Sequence, residues 1–353
     1  RAERIFTCGD DRTVREWVVT QSKESRQFEG HTLPVTCLDV SAEAGLVVAC
    51  SEDFTCRVWK LIDARSVAVI QHDAALRFVA LDQPSETMVS VCSQGNMRLW
   101  DMRTYTRIGS TDCSTTPASG GAGVGAIVCA HESMDGLLVF GGSDGTLKSW
   151  QVRSPSFKAH PGLHESGRGV VTLSVHDSTI VSTGGTDVVV WDSRTSMCRQ
   201  RIVTHQAQVT SVDLDRITKW LLATSSSSGE VLFWDLRCDS ASPAPVYNLA
   251  AHMRPITHLA FSLDGTALLT TSHDSSVKIF RVSGTGSHQS LDNPPNSSTT
   301  KKARKDEGLS VKILHNLIGH EDATLFAAFS PDCSVVASSS LDGTVRLWSM
   351  VNG

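Results

Sequence analysis

The sequence predicts an all-β fold built from one structural unit repeated along the chain, and three markers at fixed spacing predict it. The first is a short, mostly apolar run ending in an aromatic residue. It occurs at Val14-Arg-Glu-Trp17, Cys56-Arg-Val-Trp59, Met97-Arg-Leu-Trp100, Leu147-Lys-Ser-Trp150, Val188-Val-Val-Trp191, Val231-Leu-Phe-Trp234, Val277-Lys-Ile-Phe280 and Val345-Arg-Leu-Trp348. Successive aromatics stand 42, 41, 50, 41, 43, 46 and 68 positions apart, a period that marks a repeat architecture. The second marker is a histidine 28 positions before the aromatic (His31, His72, His252, His320) or 29 before it (His205). The third is an aspartate six positions before it, as at Asp11, Asp53, Asp144, Asp274 and Asp342.

Between histidine and aromatic lies an apolar run that gives way to small residues. Examples are Leu46-Val-Val-Ala-Cys50, Leu137-Leu-Val-Phe-Gly141, Leu221-Leu-Ala-Thr224, Leu268-Leu-Thr-Thr271 and Val335-Val-Ala-Ser338. Short apolar runs bounded by turn residues, with no helical period, read as strands. Their apolarity is continuous, which predicts packing on both faces. The Asp342-Gly-Thr stretch and its counterparts read as tight hairpins, glycine supplying a positive φ.

With these three markers in register, the chain resembles the WD-repeat family over nearly its whole length. The resemblance implies a β-propeller of four-stranded blades around a central channel. Eight third-strand signals then imply eight blades in one domain, 1–353. The first blade lacks its innermost strand, and the last its outermost. About twenty residues upstream of Arg1 would supply both, given usual strand and loop lengths. The family's polar tetrad maps onto His31, Ser51, Asp53 and Trp59, and onto His320, Ser340, Asp342 and Trp348. A third set, His252, Ser272 and Asp274, ends in Phe280 and lacks the indole donor. In such a set carboxylate, imidazole, hydroxyl and indole form one buried chain of hydrogen bonds. Gln94, Gly185 and Ser228 stand where other repeats would have the aspartate.

The remaining composition bounds the function. Lys and Arg total 32 against 37 Asp and Glu, a net charge of −5, which argues against direct nucleic-acid binding through bulk charge. No run is long and apolar enough to span a bilayer. The ten cysteines form no C-x-x-C pair, which excludes the usual zinc and thioredoxin-type patterns and fits unpaired thiols in cytoplasm or nucleus. Residues 110–125 and 153–169 read as loops. Residues 283–310 read as a disordered basic insertion in the seventh blade, carrying Lys301-Lys-Ala-Arg-Lys305, a candidate nuclear-import signal.

Catalytic motifs fail on context. Gly141-Gly-Ser143-Asp-Gly145 matches a nucleophile elbow, but a strand follows where a helix is needed. Gly121-Ala-Gly123-Val-Gly-Ala126 lacks the strand before and the helix after that a dinucleotide site requires. No metal spacing occurs. The expectation is a non-enzyme without cofactor or metal.

Binding candidates lie on two rims. Phe54 occupies a turn position that is glycine in several repeats, and an exposed aromatic there suits a partner. Arg77, Arg168 and Arg254 stand near entries to first strands, where arginine's fork of donors suits an interface. Trp220 begins a second strand on the opposite rim. Trp100-Asp-Met-Arg103, Trp191-Asp-Ser-Arg194 and Trp234-Asp-Leu-Arg237 resemble the W-D-x-R box of WD-repeat substrate receptors. That resemblance would give Arg103, Arg194 and Arg237 to the adaptor of a cullin-RING ubiquitin ligase. The reading is a protein-interaction scaffold, monomeric within a larger complex and binding one or more proteins. The alternatives are a ligase substrate receptor and a nuclear RNA-processing or ribosome-assembly scaffold.

Overall fold

A computed structural model describes residues 4–19, 23–82, 86–112, 127–132, 137–143, 145–151, 156–160, 164, 169–203, 205–238, 243–284 and 309–350. Thirty strands and no α-helix are assigned among them. They form two compact units, Arg1–Arg201 and Ile202–Gly353.

The first unit opens with a three-stranded sheet, β1 (Arg4–Cys8), β2 (Val14–Val18) and β3 (Lys23–Phe28). The second sheet comprises β4 (Val35–Ser41), β5 (Leu46–Ser51), β6 (Thr55–Lys60) and β7 (Ser66–Gln71). The third holds β8 (Leu76–Asp82), β9 (Thr87–Cys92), β10 (Asn96–Asp101) and β11 (Arg107–Asp112). The fourth holds β12 (Ile127–Glu132), β13 (Leu137–Gly142), β14 (Leu147–Gln151) and β15 (Ser156–His160). The fifth holds β16 (Thr172–His176), β17 (Thr179–Gly184), β18 (Asp187–Asp192) and β19 (Met197–Val203).

The second unit follows the same plan. Its sheets are β20 (Val209–Leu214) to β21 (Leu221–Ser226), β22 (Glu230–Asp235) and β23 (Tyr247–Ala250), then β24 (Ile256–Phe261), β25 (Ala267–Ser272), β26 (Ser276–Ser283) and β27 (Ser310–Ile318). A three-stranded sheet, β28 (Thr324–Phe329), β29 (Val335–Ser340) and β30 (Val345–Ser349), ends it. Neighbouring strands within each sheet run antiparallel. Each of the eight aromatic markers falls on the strand after a hairpin: β2, β6, β10, β14, β18, β22, β26 and β30.

The continuous apolarity of the second strands has its predicted cause. Sheets within each unit stack face to face, so both faces of a middle strand meet side chains. Val48, Cys50, Cys56 and Val58 of the second sheet share a core with Leu76, Val79, Met88 and Trp100 of the third. Leu221, Ala223, Val231 and Phe233 do the same against Ile256, Leu259, Phe261 and Leu268. Outer strands, packed on one face only, are largely exposed, as in β7 and β19. Two aspartates at matching positions lock adjacent inner strands: Asp39 Oδ2 accepts Leu81 N–H at 2.8 Å, and Asp213 Oδ2 accepts Phe261 N–H at 2.8 Å.

The hairpin before each aromatic strand has one residue at positive φ: Arg12, Phe54, Gly95, Gly145, Gly185, Gly229, Ser275 and Gly343. Five of the eight are glycine, the residue that adopts this conformation without steric cost. Gly229 is the most constrained. Its φ is +87°, and an added Cβ would lie 2.2 Å from the His252 carbonyl oxygen. Its own carbonyl accepts Ala251 N–H at 3.1 Å and His252 N–H at 3.0 Å. Gly229→Ala is expected to destabilise the chain by about 2 kcal/mol or more, through strain and backbone displacement. Urea denaturation measures this. An unchanged midpoint would show that the turn relaxes freely.

Candidate functional site

The repeat histidines are buried beside the aromatic strand, and each needs polar partners there. In the last sheet, His320 Nδ1 lies 2.9 Å from Asp342 Oδ2 and Nε2 lies 2.8 Å from Ser338 Oγ. Trp348 Nε1 donates to the same Ser338 oxygen at 2.8 Å. The hydroxyl therefore differs from the expected Ser340, which instead donates to the Asp322 carbonyl at 2.9 Å and accepts Asp342 N–H at 3.2 Å. The same offset recurs. His252 pairs with Asp274 at 2.8 Å and with Thr270 at 2.8 Å, whereas Ser272 donates to the Arg254 carbonyl at 3.2 Å. In the second sheet the equivalent position is Ala49. His31 meets Asp53 at 2.9 Å, Ser51 donates to the Leu33 carbonyl at 3.0 Å, and Trp59 Nε1 turns to the Glu29 carbonyl at 3.3 Å. That set is a His–Asp pair beside a tryptophan, without the bridging hydroxyl.

Sheets that lack the aspartate at the marker position keep the bridge. His72 Nε2 and Trp100 Nε1 both lie 2.8 Å from Ser90 Oγ, with the rings edge to face at 5.4 Å. His205 and Trp234 share Thr224 Oγ1, each at 3.0 Å. His164 and Trp191 share Ser182 Oγ at 3.0 and 2.8 Å, and Asp187 Oδ2 lies 3.3 Å from His164 Nδ1. His164 escaped the sequence reading because it stands 27 positions before its tryptophan, not 28. The signal that finds these partners is a hydroxyl nine or ten positions before the aromatic, at Thr7, Ser90, Ser182, Thr224, Thr270 and Ser338.

Burial sets the charge state of several of the buried histidines. It lowers the His72 imidazole to about 4, with Arg98 adding to the effect. Burial, then Lys158, brings His160 to about 4 as well. Burial also lowers His31, His205 and His252, against the pull of Asp53 and Asp274 on the first and last. For Asp53 burial acts upward, but hydrogen bonds from Thr55, Thr32 N–H and His31 outweigh it and bring the carboxyl to about 2.

The surface candidates divide. Phe54 is 45% exposed with φ at 69°, a strained conformation for a bulky residue. Arg77 pairs with Glu52 at 3.3 Å. Arg254 is exposed. Arg168 and the Lys301–Lys305 cluster lie outside the described residues. In the three W-D-x-R boxes the aspartate closes its own turn, accepting the N–H of Arg103 at 2.7 Å, of Arg194 at 2.8 Å and of Arg237 at 2.9 Å. This is the local side chain-to-backbone bond that favours aspartate in turns. Arg103 also pairs with Glu86. Arg237 bonds Asp235 at 2.7 Å and lies 3.5 Å over the Trp220 ring. Arg194 is exposed.

The four-stranded sheets and their histidine–hydroxyl–tryptophan bridges define a WD-repeat β-propeller protein, and the WD domain, G-beta repeat model matches residues 22–60 and 311–349. The model described as Nucleolar protein 10-like, N-terminal domain, matches residues 122–316, more than half of the chain, and the chain belongs to this β-propeller family. Similar proteins carry WD repeats. Target of rapamycin complex subunit LST8 of Mus musculus is 24% identical over 255 residues, 69% of this chain and 74% of the relative. Ribosome biogenesis protein YTM1 of Eremothecium gossypii is 23% identical over 331 residues, 88% of this chain and 69% of the relative. Small ribosomal subunit protein RACK1 of Drosophila melanogaster is 24% identical over 157 residues, 44% of this chain and 48% of the relative. The crystal structure of the computationally designed Ika8 protein superposes with a TM-score of 0.76 at 20% identity, covering 99% of this chain and 94% of that one, which shows the fold alone.

The lowered imidazoles predict a pH dependence. Unfolded, His72 and His160 titrate near 6.5; folded, near 4. Between these values the unfolded chain binds more protons, so stability is full above about pH 6.5 and declines toward about pH 4. The urea midpoint should fall as pH is lowered through this window. A midpoint constant across it would mean the imidazoles are not buried in the neutral form.

Proposed function

We propose that the chain is a non-catalytic protein-interaction scaffold that works in nuclear ribosome assembly. The carrying observation is the match of residues 122–316 to the Nucleolar protein 10-like, N-terminal domain. The relative aligned with 88% of the chain is described as a ribosome biogenesis protein, which supports the same reading. The geometry suits a scaffold. Hydrogen-bonded sheets hold short turns in fixed positions, and turn residues such as Phe54 stay exposed. Gly141 and Gly142 of the motif end β13, and the next element is a strand, β14, not a helix. The partners are proteins, and the chain acts as one copy within the complex. The Lys301–Lys305 cluster supplies nuclear import.

The ligase-receptor reading gains no support from the boxes, because their aspartates close local turns and Arg103 and Arg237 are engaged by neighbouring carboxylates. Affinity capture of the full-length protein from its own cells, read by mass spectrometry, tests both readings. Ribosome-assembly proteins should be recovered, and recovery should be unchanged by Arg103/Arg194/Arg237→Ala. A ligase adaptor recovered with the wild type and lost in that variant would overturn the reading. Phe54→Gly should remove left-handed strain, stabilising the fold by about 1 kcal/mol, while depleting at least one captured partner. Alanine at Lys301, Lys302, Arg304 and Lys305 should shift the chain from nucleus to cytoplasm, seen by microscopy.

A further inference from the structure

At the end of β6 the pattern of three other sheets is inverted. Trp100, Trp191 and Trp234 are each followed by aspartate and, three positions on, by arginine; Trp59 is followed by Lys60 and then, three positions on, by Ile62. Beside this turn, within the Arg1–Arg201 unit, lies an open cleft of about 370 Å³ whose lining includes Arg4, Arg26, Lys60, Leu46, Leu61 and Ile62.

Two of the three cations are held by one buried carboxylate. Glu16, on β2, is fully buried at a position that is Ser149 in one other sheet and Val58, Leu99, Val190, Phe233, Ile279 and Leu347 in the rest. Arg4 Nη1 lies 2.9 Å from Glu16 Oε1, and Arg26 Nη1 lies 3.3 Å from Oε2. Arg26 also donates to the Leu61 carbonyl, tying the first sheet to the turn of the second. A fully buried carboxylate is costly unless paired, and here its effect is to fix two guanidiniums at the cleft. The lining residues carry three cations and no carboxylate, so the lining itself is positive. In these contacts each arginine uses only Nη1, leaving further donors of its fork for a ligand. Ile62, 77% exposed, gives the cleft an apolar border.

We propose that this cleft docks a short acidic segment of a partner protein, in which a carboxylate-bearing residue stands next to an aliphatic one. The guanidinium forks and Lys60 take the carboxylate, and Leu46, Leu61 and Ile62 take the aliphatic side chain. A nucleic acid fits less well: the lining residues include no aromatic on which a base could stack. The inference rests on the scaffold reading only in making the occupant a protein.

Fluorescence anisotropy on the purified full-length protein tests it, with a labelled peptide GELEEIG and GKLKKIG as control. Lys60→Glu and Ile62→Asp leave the Arg4–Glu16–Arg26 contacts in place, and thermal unfolding verifies that both variants fold. The expected result is saturable binding of the acidic peptide alone, weakened by about tenfold in Lys60→Glu, weakened in Ile62→Asp, and reduced by salt. Inorganic phosphate should displace the peptide only weakly. No saturable binding by the folded wild type, binding unaltered in both variants, or full displacement by millimolar phosphate would each overturn the proposal. Such a failure, with partners still captured from cells, would remove the cleft and leave the scaffold reading standing.

Discussion

A buried imidazole beside a buried indole needs something polar between them, and the repeat supplies a single hydroxyl. Ser90, Ser182, Thr224 and Ser338 each sit within hydrogen-bond distance of a histidine Nε2 and a tryptophan Nε1. The hydroxyl lies on the second strand, the tryptophan on the third, and the histidine in the segment entering the first. One oxygen thus fixes three parts of each of these four sheets. The aspartate is secondary, since the sheets containing Ser90 and Thr224 lack it at the marker position and keep the bridge. Where the hydroxyl is lost, at Ala49, the His31–Asp53 pair stays at 2.9 Å but the indole turns to a backbone carbonyl.

The repeat was legible because its signals are long-period and redundant. Aromatic, histidine and aspartate positions agree from sheet to sheet, and continuous apolar runs reflect packing on both faces. The bridging hydroxyl was not legible. Along β29, Val336, Ser338 and Ser340 alternate onto one face, and Val336 is the direct cross-strand partner of Trp348. Spacing leaves two candidate serines; the reach of the indole toward the hairpin selects Ser338. In β5 the single hydroxyl, Ser51, is one step too far along, and Ala49 holds the bridging position.

The surface was less legible still, because charge in a sequence does not say what neutralises it. The W-D-x-R boxes read as adaptor contacts, yet their aspartates serve the backbone of the next turn and two of their arginines meet nearby carboxylates. The corner at Lys60 carried no motif. It stands out only when the buried Glu16 is seen to hold Arg4 and Arg26 beside it. A scaffold built this way uses the same sheet pattern to keep its sites fixed and confines variation to turns and cleft corners.

The central claim is that the bridging imidazoles of His72 and His205 are held neutral by burial against hydroxyl and indole. Side-chain NMR titration of His72, with ¹³C and ¹⁵N labels, tests it most directly. The account predicts a ring that stays neutral at pH 6 and takes up its proton only near pH 4. A ring that titrates at 6.5 or above, as a solvated imidazole does, would contradict it.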